Sequence, residues 1–210
     1  MRGMTGTLAL VGGAEWTEGC TFDADLLARS GGDRVLVIPT AAAYEQPQLQ
    51  IDRAVAWFAT LGATVDVLEV YRRSDATAPG AADALADARF VYLGGGSPMH
   101  LRSVLKDTPL WHAIVDVLAA GGLVVGVGAC ASALCDPMVD PRGGAFTLGL
   151  GMVTGLGVVH AVEGWSAERL QRTLRMADTT VACLPTGGAL VRRDSTWETV
   201  GDIDLHGELP

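Results

Sequence analysis

Basic residues are scarce in this chain: 15 Lys and Arg stand against 24 Asp and Glu, a net charge of −9. No basic tract is longer than the pairs Arg72-Arg73 and Arg192-Arg193. Nucleic acid and anionic membrane both demand a positive footprint, so neither is expected as a partner. Long apolar runs are missing too. A membrane span takes roughly 20 such residues, and the short apolar stretch that ends at Gly12-Gly13 is too brief for a signal peptide. A cytoplasmic protein is the expectation. The four cysteines (Cys20, Cys130, Cys135, Cys183) lack framework spacing, which predicts free thiols rather than disulfides. There is no CxxC, HxH or HExxH, and His100, His112, His160 and His206 lie far apart. No metal site and no cofactor are therefore expected. The missing G-x-G-x-x-G and Walker lysine argue against a nucleotide.

What the chain does have is apolar residues at 49% and 27 glycines. Its length suits one domain, residues 1–210, able to bury roughly 70% of its unfolded surface. Short β-branched runs alternate with helical stretches. Strands are expected at Thr7 to Val11, Arg34 to Ile38, Thr64 to Val70, Phe90 to Leu93 and Leu123 to Val127. Helices are expected at Phe22 to Ser30, with Thr21 as N-cap, and at Gln48 to Leu61. Others follow near 81–88, 99–105 and 109–119. Ile51, Val55, Phe58 and Leu61 keep a 3.6-residue rhythm. This alternation predicts an α/β fold, a mostly parallel sheet with helices on both faces. Beyond Pro141 the chain turns Gly-rich. A strand near 157–162, a helix from Ser166 to Met176 with Ser166 as N-cap, and two or three short strands close it.

In such sheets ligands gather outside the carboxyl ends of the strands. Three ends carry suggestive residues: Gly12-Gly13-Ala14-Glu15, Gly94-Gly95-Gly96-Ser97 and Gly128-Ala129-Cys130. The last has the layout of a nucleophile elbow, an apolar strand running into a tight small-residue turn and then a helix. Cys130 is the candidate nucleophile there, since a helix N-terminus favours the thiolate. Gly95 and Gly96, with the N–H of Ala131, are candidate oxyanion donors, and Ser132 stands beside them. His160, followed by Glu163, is the candidate base. Glu15 is an alternative partner for the thiol. Each residue also has a plain structural reading: a thiol filling a turn, glycines making a bend, a strand histidine held by hydrogen bonds, a solvated glutamate.

Taken in order, Leu10-Val-Gly-Gly-Ala-Glu15, Arg34-Val-Leu-Val-Ile-Pro-Thr40, Val91-Tyr-Leu-Gly-Gly-Gly96 and Gly126-Val-Gly-Ala-Cys-Ala-Ser-Ala133 resemble the cyanophycinase and aspartyl-dipeptidase (peptidase E-like) family, and Gly155-Leu-Gly157 continues the likeness. The resemblance implies a flavodoxin-like three-layer sandwich of the class I glutamine amidotransferase-like type. It also implies hydrolysis of a small peptide or amide bond. The family's elbow reads G-x-S-A-G-A, which lays its serine on Cys130, its oxyanion donors on Ala131 and the Gly95-Gly96 turn, and its base near His160. A Cys nucleophile then replaces Ser. Two alternatives stay open: a thiol-reactive or redox-sensing protein using Cys130 with Glu15, and a catalytically inactive binding homologue. A symmetric homodimer is the commonest assembly for such a chain.

Overall fold

The computed structural model describes residues 5–210. The first four residues of the N-terminal segment discussed above lie outside them. Five parallel strands form the centre: β1 (Thr7–Val11), β2 (Arg34–Ile38), β3 (Thr64–Val67), β4 (Phe90–Leu93) and β5 (Leu123–Val127). Beyond four two-residue strands, left unnumbered here, come β6 (Leu156–His160), β7 (Thr180–Leu184), β8 (Ala189–Arg193), β9 (Thr196–Val200) and β10 (Asp204–His206). The main sheet runs β9-β8-β1-β5-β4-β2-β3, with β8 and β9 antiparallel at one edge and every other pair parallel. A smaller sheet runs β6-β7-β10.

Period-2 alternation sorts the central strands onto two cores. Leu8, Leu10, Leu36, Ile38, Val91, Leu93 and Val124 face one side. There they meet Leu101, Val104 and Leu105 of α3 (Pro98–Leu105) and Leu110, Ile114 and Leu118 of α4 (Pro109–Ala119). Ala9, Val11, Val35, Val37, Phe90, Tyr92 and Val125 face the other. They pack on Phe22, Leu26 and Leu27 of α1 (Phe22–Ser30) and Ala54 and Phe58 of α2 (Pro47–Thr60). Strands buried on both faces read as continuous apolar runs, the signature of a parallel sheet covered by helices. The expected three-layer α/β sandwich is the observed one.

Several expected boundaries move for local reasons. The strand expected to reach Val70 stops at Val67, because Val70 N–H turns back to Leu68 O. The stretch near residue 81 winds only one 3₁₀ turn, Asp83–Leu85. Thr21 is itself helical (φ −64°, ψ −19°) and makes no side-chain cap, whereas Ser166 accepts Arg169 N–H at 3.3 Å and starts α6 (Ala167–Met176) as expected. In α2, Val55 faces water and Ala54 takes the buried place beside Ile51 and Phe58. No helix among the described residues is long and apolar enough to cross a membrane.

Candidate functional site

β4, β5 and β1 are neighbours in the sheet, so their glycine-rich carboxyl ends open onto one place. There they frame a cavity of about 480 Å³, within the ordinary size of a small-molecule site. Glu15, Trp16, Gln50, Arg53, Gly95, Gly96, Gly128, Ala129 and His160 all line it. Around it the backbone is unusually contorted for residues bearing side chains: Ala14, Trp16 and Gln46 on its wall and Ala161 beside His160 have φ of 56°, 58°, 56° and 44°. Such conformations cost about 1–3 kcal/mol each and persist where surrounding structure enforces them, commonly at sites.

The elbow turns at Gly128, not at Cys130. Gly128 has φ 56° and ψ −119°, and the helix α5 (Ala129–Leu134) begins immediately after it. On the family pattern G-x-S-A-G-A two registers match equally well: Gly128 to Ala133, with Cys130 under the serine, or Gly126 to Ala131, with Gly128 under it. Both keep the first Gly and both Ala. Backbone geometry decides between them, because the apex of an elbow is the residue forced into the strained left-handed turn. A Cβ added to Gly128 would lie 3.8 Å from His160 Cδ2 and meet nothing nearer. The position facing His160 therefore carries no side chain.

Cys130 sits two residues farther on, inside the helix. Its side chain is 0% exposed and its thiol donates to Gly94 O at 2.8 Å. Burial, with a smaller push from the charge of Glu15, holds the thiol well above its ordinary pKa. The attacking form is the thiolate, so this environment disarms it. The expected pairing with Glu15 is replaced as well, since Glu15 Oε1 accepts Gly95 N–H at 3.2 Å. Ala131 and Ser132 are displaced for the same reason of register. Both are wholly buried, and Ser132 Oγ donates to Val139 O at 2.9 Å and accepts Val139 N–H at 3.1 Å, stapling the helix to the following loop. The residue after the apex, Ala129, is the one that reaches the cavity.

Three expected residues do converge. Gly95 and Gly96 line the cavity, and Gly96 has to be glycine: its φ is 144° and a Cβ would fall 2.4 Å from Ala41 O. His160, the last residue of β6, is carried to the same place, anchored by the bond from Ala161 N–H to Gly12 O at 3.0 Å. Burial and then the charge of Arg169 lower its pKa, so the imidazole is neutral at pH 7. Glu163 does not support it. That carboxylate accepts Thr186 N–H at 3.0 and 3.2 Å, and among the described residues no hydrogen-bond partner faces the His160 ring.

Sequence reading named the Gly128-Ala129-Cys130 end but gave Gly128 and Ala129 no role of their own, and it missed the wall formed by Gln46 and by Leu49, Gln50 and Arg53 of α2. A signal for the wall was present, since Gln46, Gln50 and Arg53 recur at helical spacing off the face of Ile51, Ala54 and Phe58. His100 lies outside the cavity, with its Nε2 2.9 Å from Tyr71 O. All four cysteines are free and buried. Among the described residues no group of three His, Cys, Asp or Glu is placed to hold a metal.

Comparison with known proteins identifies the family and the fold. Residues 8–200 fit the sequence profile of Peptidase family S51. Cyanophycinases of Trichormus variabilis and of Nostoc sp. are each 25% identical over 163 residues, covering 75% of this chain and 55% of theirs. The chain thus spans about half the length of these curated relatives. A peptidase from an acI-B1 Actinobacterium superposes with a TM-score of 0.85 at 28% identity, over 98% of this chain and 91% of that one. A putative peptidase E protein from Listeria monocytogenes EGD-e superposes with a TM-score of 0.69 at 18% identity, over 96% and 98%, a likeness of fold alone.

Proposed function

Since the chain belongs to Peptidase family S51, we propose that it recognises a small peptide or amide in this cleft without forming a covalent acyl intermediate. One observation carries the reading: the apex of the elbow is Gly128, which offers no nucleophile. The rest of an acyl-transfer site remains in support. His160 is neutral and so able to take a proton. Backbone of the Gly95-Gly96 turn and of Ala129 stands where N–H groups would polarise a carbonyl. A substrate carbonyl can be bound and polarised, yet the elbow offers no side chain to attack it. Replacing the serine reading by a Cys130 nucleophile requires a thiol that is exposed and ionised, and this one is neither. The same burial weighs against a redox-sensing thiol, because oxidation follows thiolate character and access. Free, buried cysteines suit a reducing compartment, which supports a cytoplasmic location.

Restoring the missing atom tests this. Wild-type protein should stay unlabelled by a fluorophosphonate probe, while Gly128→Ser should become labelled at position 128 and lose that labelling on further His160→Ala. Covalent labelling of wild type at Cys130 by a peptidyl acyl donor would overturn the reading, as would a Gly128→Ser protein that is folded and inert.

A further inference from the structure

The cavity has a tenant of its own. Glu15 reaches from the end of β1 and accepts Gly95 N–H, placing a protein carboxylate on a donor that an acyl-transfer site keeps for the substrate's oxyanion. The fit is close: a Cβ at Gly95 would lie 2.9 Å from Glu15 Oε1. At 3.2 Å the bond itself is long beside the ~2.9–3.0 Å common for N–H···O contacts. We infer that the cleft is a carboxylate-binding site whose backbone donor Glu15 holds until a ligand carboxylate displaces it. This rests on the non-covalent reading above.

Three further features supply what such a ligand needs. The absent side chain at Gly128 leaves room for the second carboxylate oxygen, next to His160. An active nucleophile would fill that room. Arg53 projects into the same cavity from α2 and has no hydrogen bond or ion pair among the described residues, so it is available as a counter-charge. The Trp16 indole N–H and the Gln50 amide oxygen are both buried and lack partners, although both side chains line the cavity and Trp16 is only 7% exposed. Buried polar atoms without partners are uncommon in folded proteins, and a ligand that satisfies them accounts for their retention.

The same residues indicate what lies beside the carboxylate. Trp16, Thr17 and Arg53 also line a shallow, open hollow beside the cavity, bounded by Glu18, Ala56, Trp57 and Thr60. An apolar or aromatic side chain fits there, its flat face against the indoles. The ligand class is therefore an acylated amino acid or short peptide ending in a free carboxylate, with an apolar or aromatic residue at that end.

N-acetylphenylalanine and the neutral N-acetylphenylalaninamide, titrated into ¹⁵N-labelled protein at pH 7, separate the outcomes. The acid should shift the Gly95 and Ala129 amide resonances and bind at least about tenfold more tightly than the amide, a ratio equal to ~1.4 kcal/mol. Glu15→Ala should tighten the acid by about tenfold and leave the amide within about twofold; Arg53→Gln should weaken the acid alone. Glu15→Gln keeps the shape of the wall and removes the charge, so it carries the test if the alanine variant does not fold. Equal binding of acid and amide overturns the inference, and so does acid affinity that is unchanged or weaker in both Glu15 variants. A wild type that reacts covalently with a fluorophosphonate or an acyl donor fails the parent reading instead, whatever the titration gives.

Discussion

Cys130 donates its thiol proton to the carbonyl of Gly94 across 2.8 Å, tying the helix after the elbow to the end of the neighbouring strand. This bond spans 36 residues of sequence and joins the residue before Gly95, which lines the cavity, to the helix that follows Gly128, which lines it too. It makes Cys130 a structural tie within the site, and its chemistry follows from that.

In the native protein Cys130 should resist iodoacetamide from pH 6 to pH 9 and react only on unfolding, because its thiol is buried and held protonated. Cys130→Ala should cost about 1–3 kcal/mol by urea denaturation, since it strands the buried Gly94 oxygen. Rapid alkylation of the folded protein at this residue would contradict both statements.

Ser132→Ala should destabilise by a comparable ~1–3 kcal/mol. It removes both partners of the buried Val139 backbone at once, the acceptor of its N–H and the donor to its oxygen. A urea midpoint indistinguishable from wild type, with unchanged slope, would mean that water replaces the hydroxyl.

Gly96→Ala should fold poorly or not at all. The new methyl would collide with Ala41 O at 2.4 Å in a backbone conformation that L side chains rarely adopt. Strain of this kind runs to several kcal/mol when the neighbour is backbone and cannot rotate away. Thermal unfolding of the variant reads it directly.

Asp23 predicts a pH dependence of stability. Its carboxyl is wholly buried and accepts from Trp57 Nε1 at 2.8 Å and from Tyr92 OH at 3.3 Å. Burial raises its pKa from 3.8 to about 7, only partly offset by those bonds. The folded state therefore binds this proton more tightly than the unfolded one. Its contribution is complete below about pH 3.8 and is lost as the pH climbs through about 7. Asp23→Asn should gain on wild type over that window, by up to ~1.4 kcal/mol per pH unit and a few kcal/mol in all. Denaturation curves of the two proteins at pH 5 and pH 8 check the sign; a wild type that gains on the variant as the pH rises refutes it.

Much of the fold was written in local pattern. The strands from Thr7, Arg34, Phe90 and Leu123 each end where an apolar run meets Gly or Pro, and α1 stops at Gly31 in the left-handed cap that glycine favours. That Gly95, Gly96, His160 and Glu15 gather at the cleft was also legible, because each follows or closes a strand whose carboxyl end faces it. The nucleophile position was not recognisable. Gly126 to Ala131 and Gly128 to Ala133 fit the same motif, and a small-residue run has no side-chain periodicity with which to choose a register.

The sequence alone determined the layering, the parallel core and the end of the sheet where chemistry would gather, since apolar periodicity and turn residues act over a few neighbours and survive in one dimension. Tertiary structure decided which residue turns the elbow, whether the thiol sees water, and what Glu15 holds. Those depend on the φ of a single glycine and on contacts between segments as far apart as Glu15 and Gly95 or Gly94 and Cys130, which exist only once strands remote in sequence lie side by side.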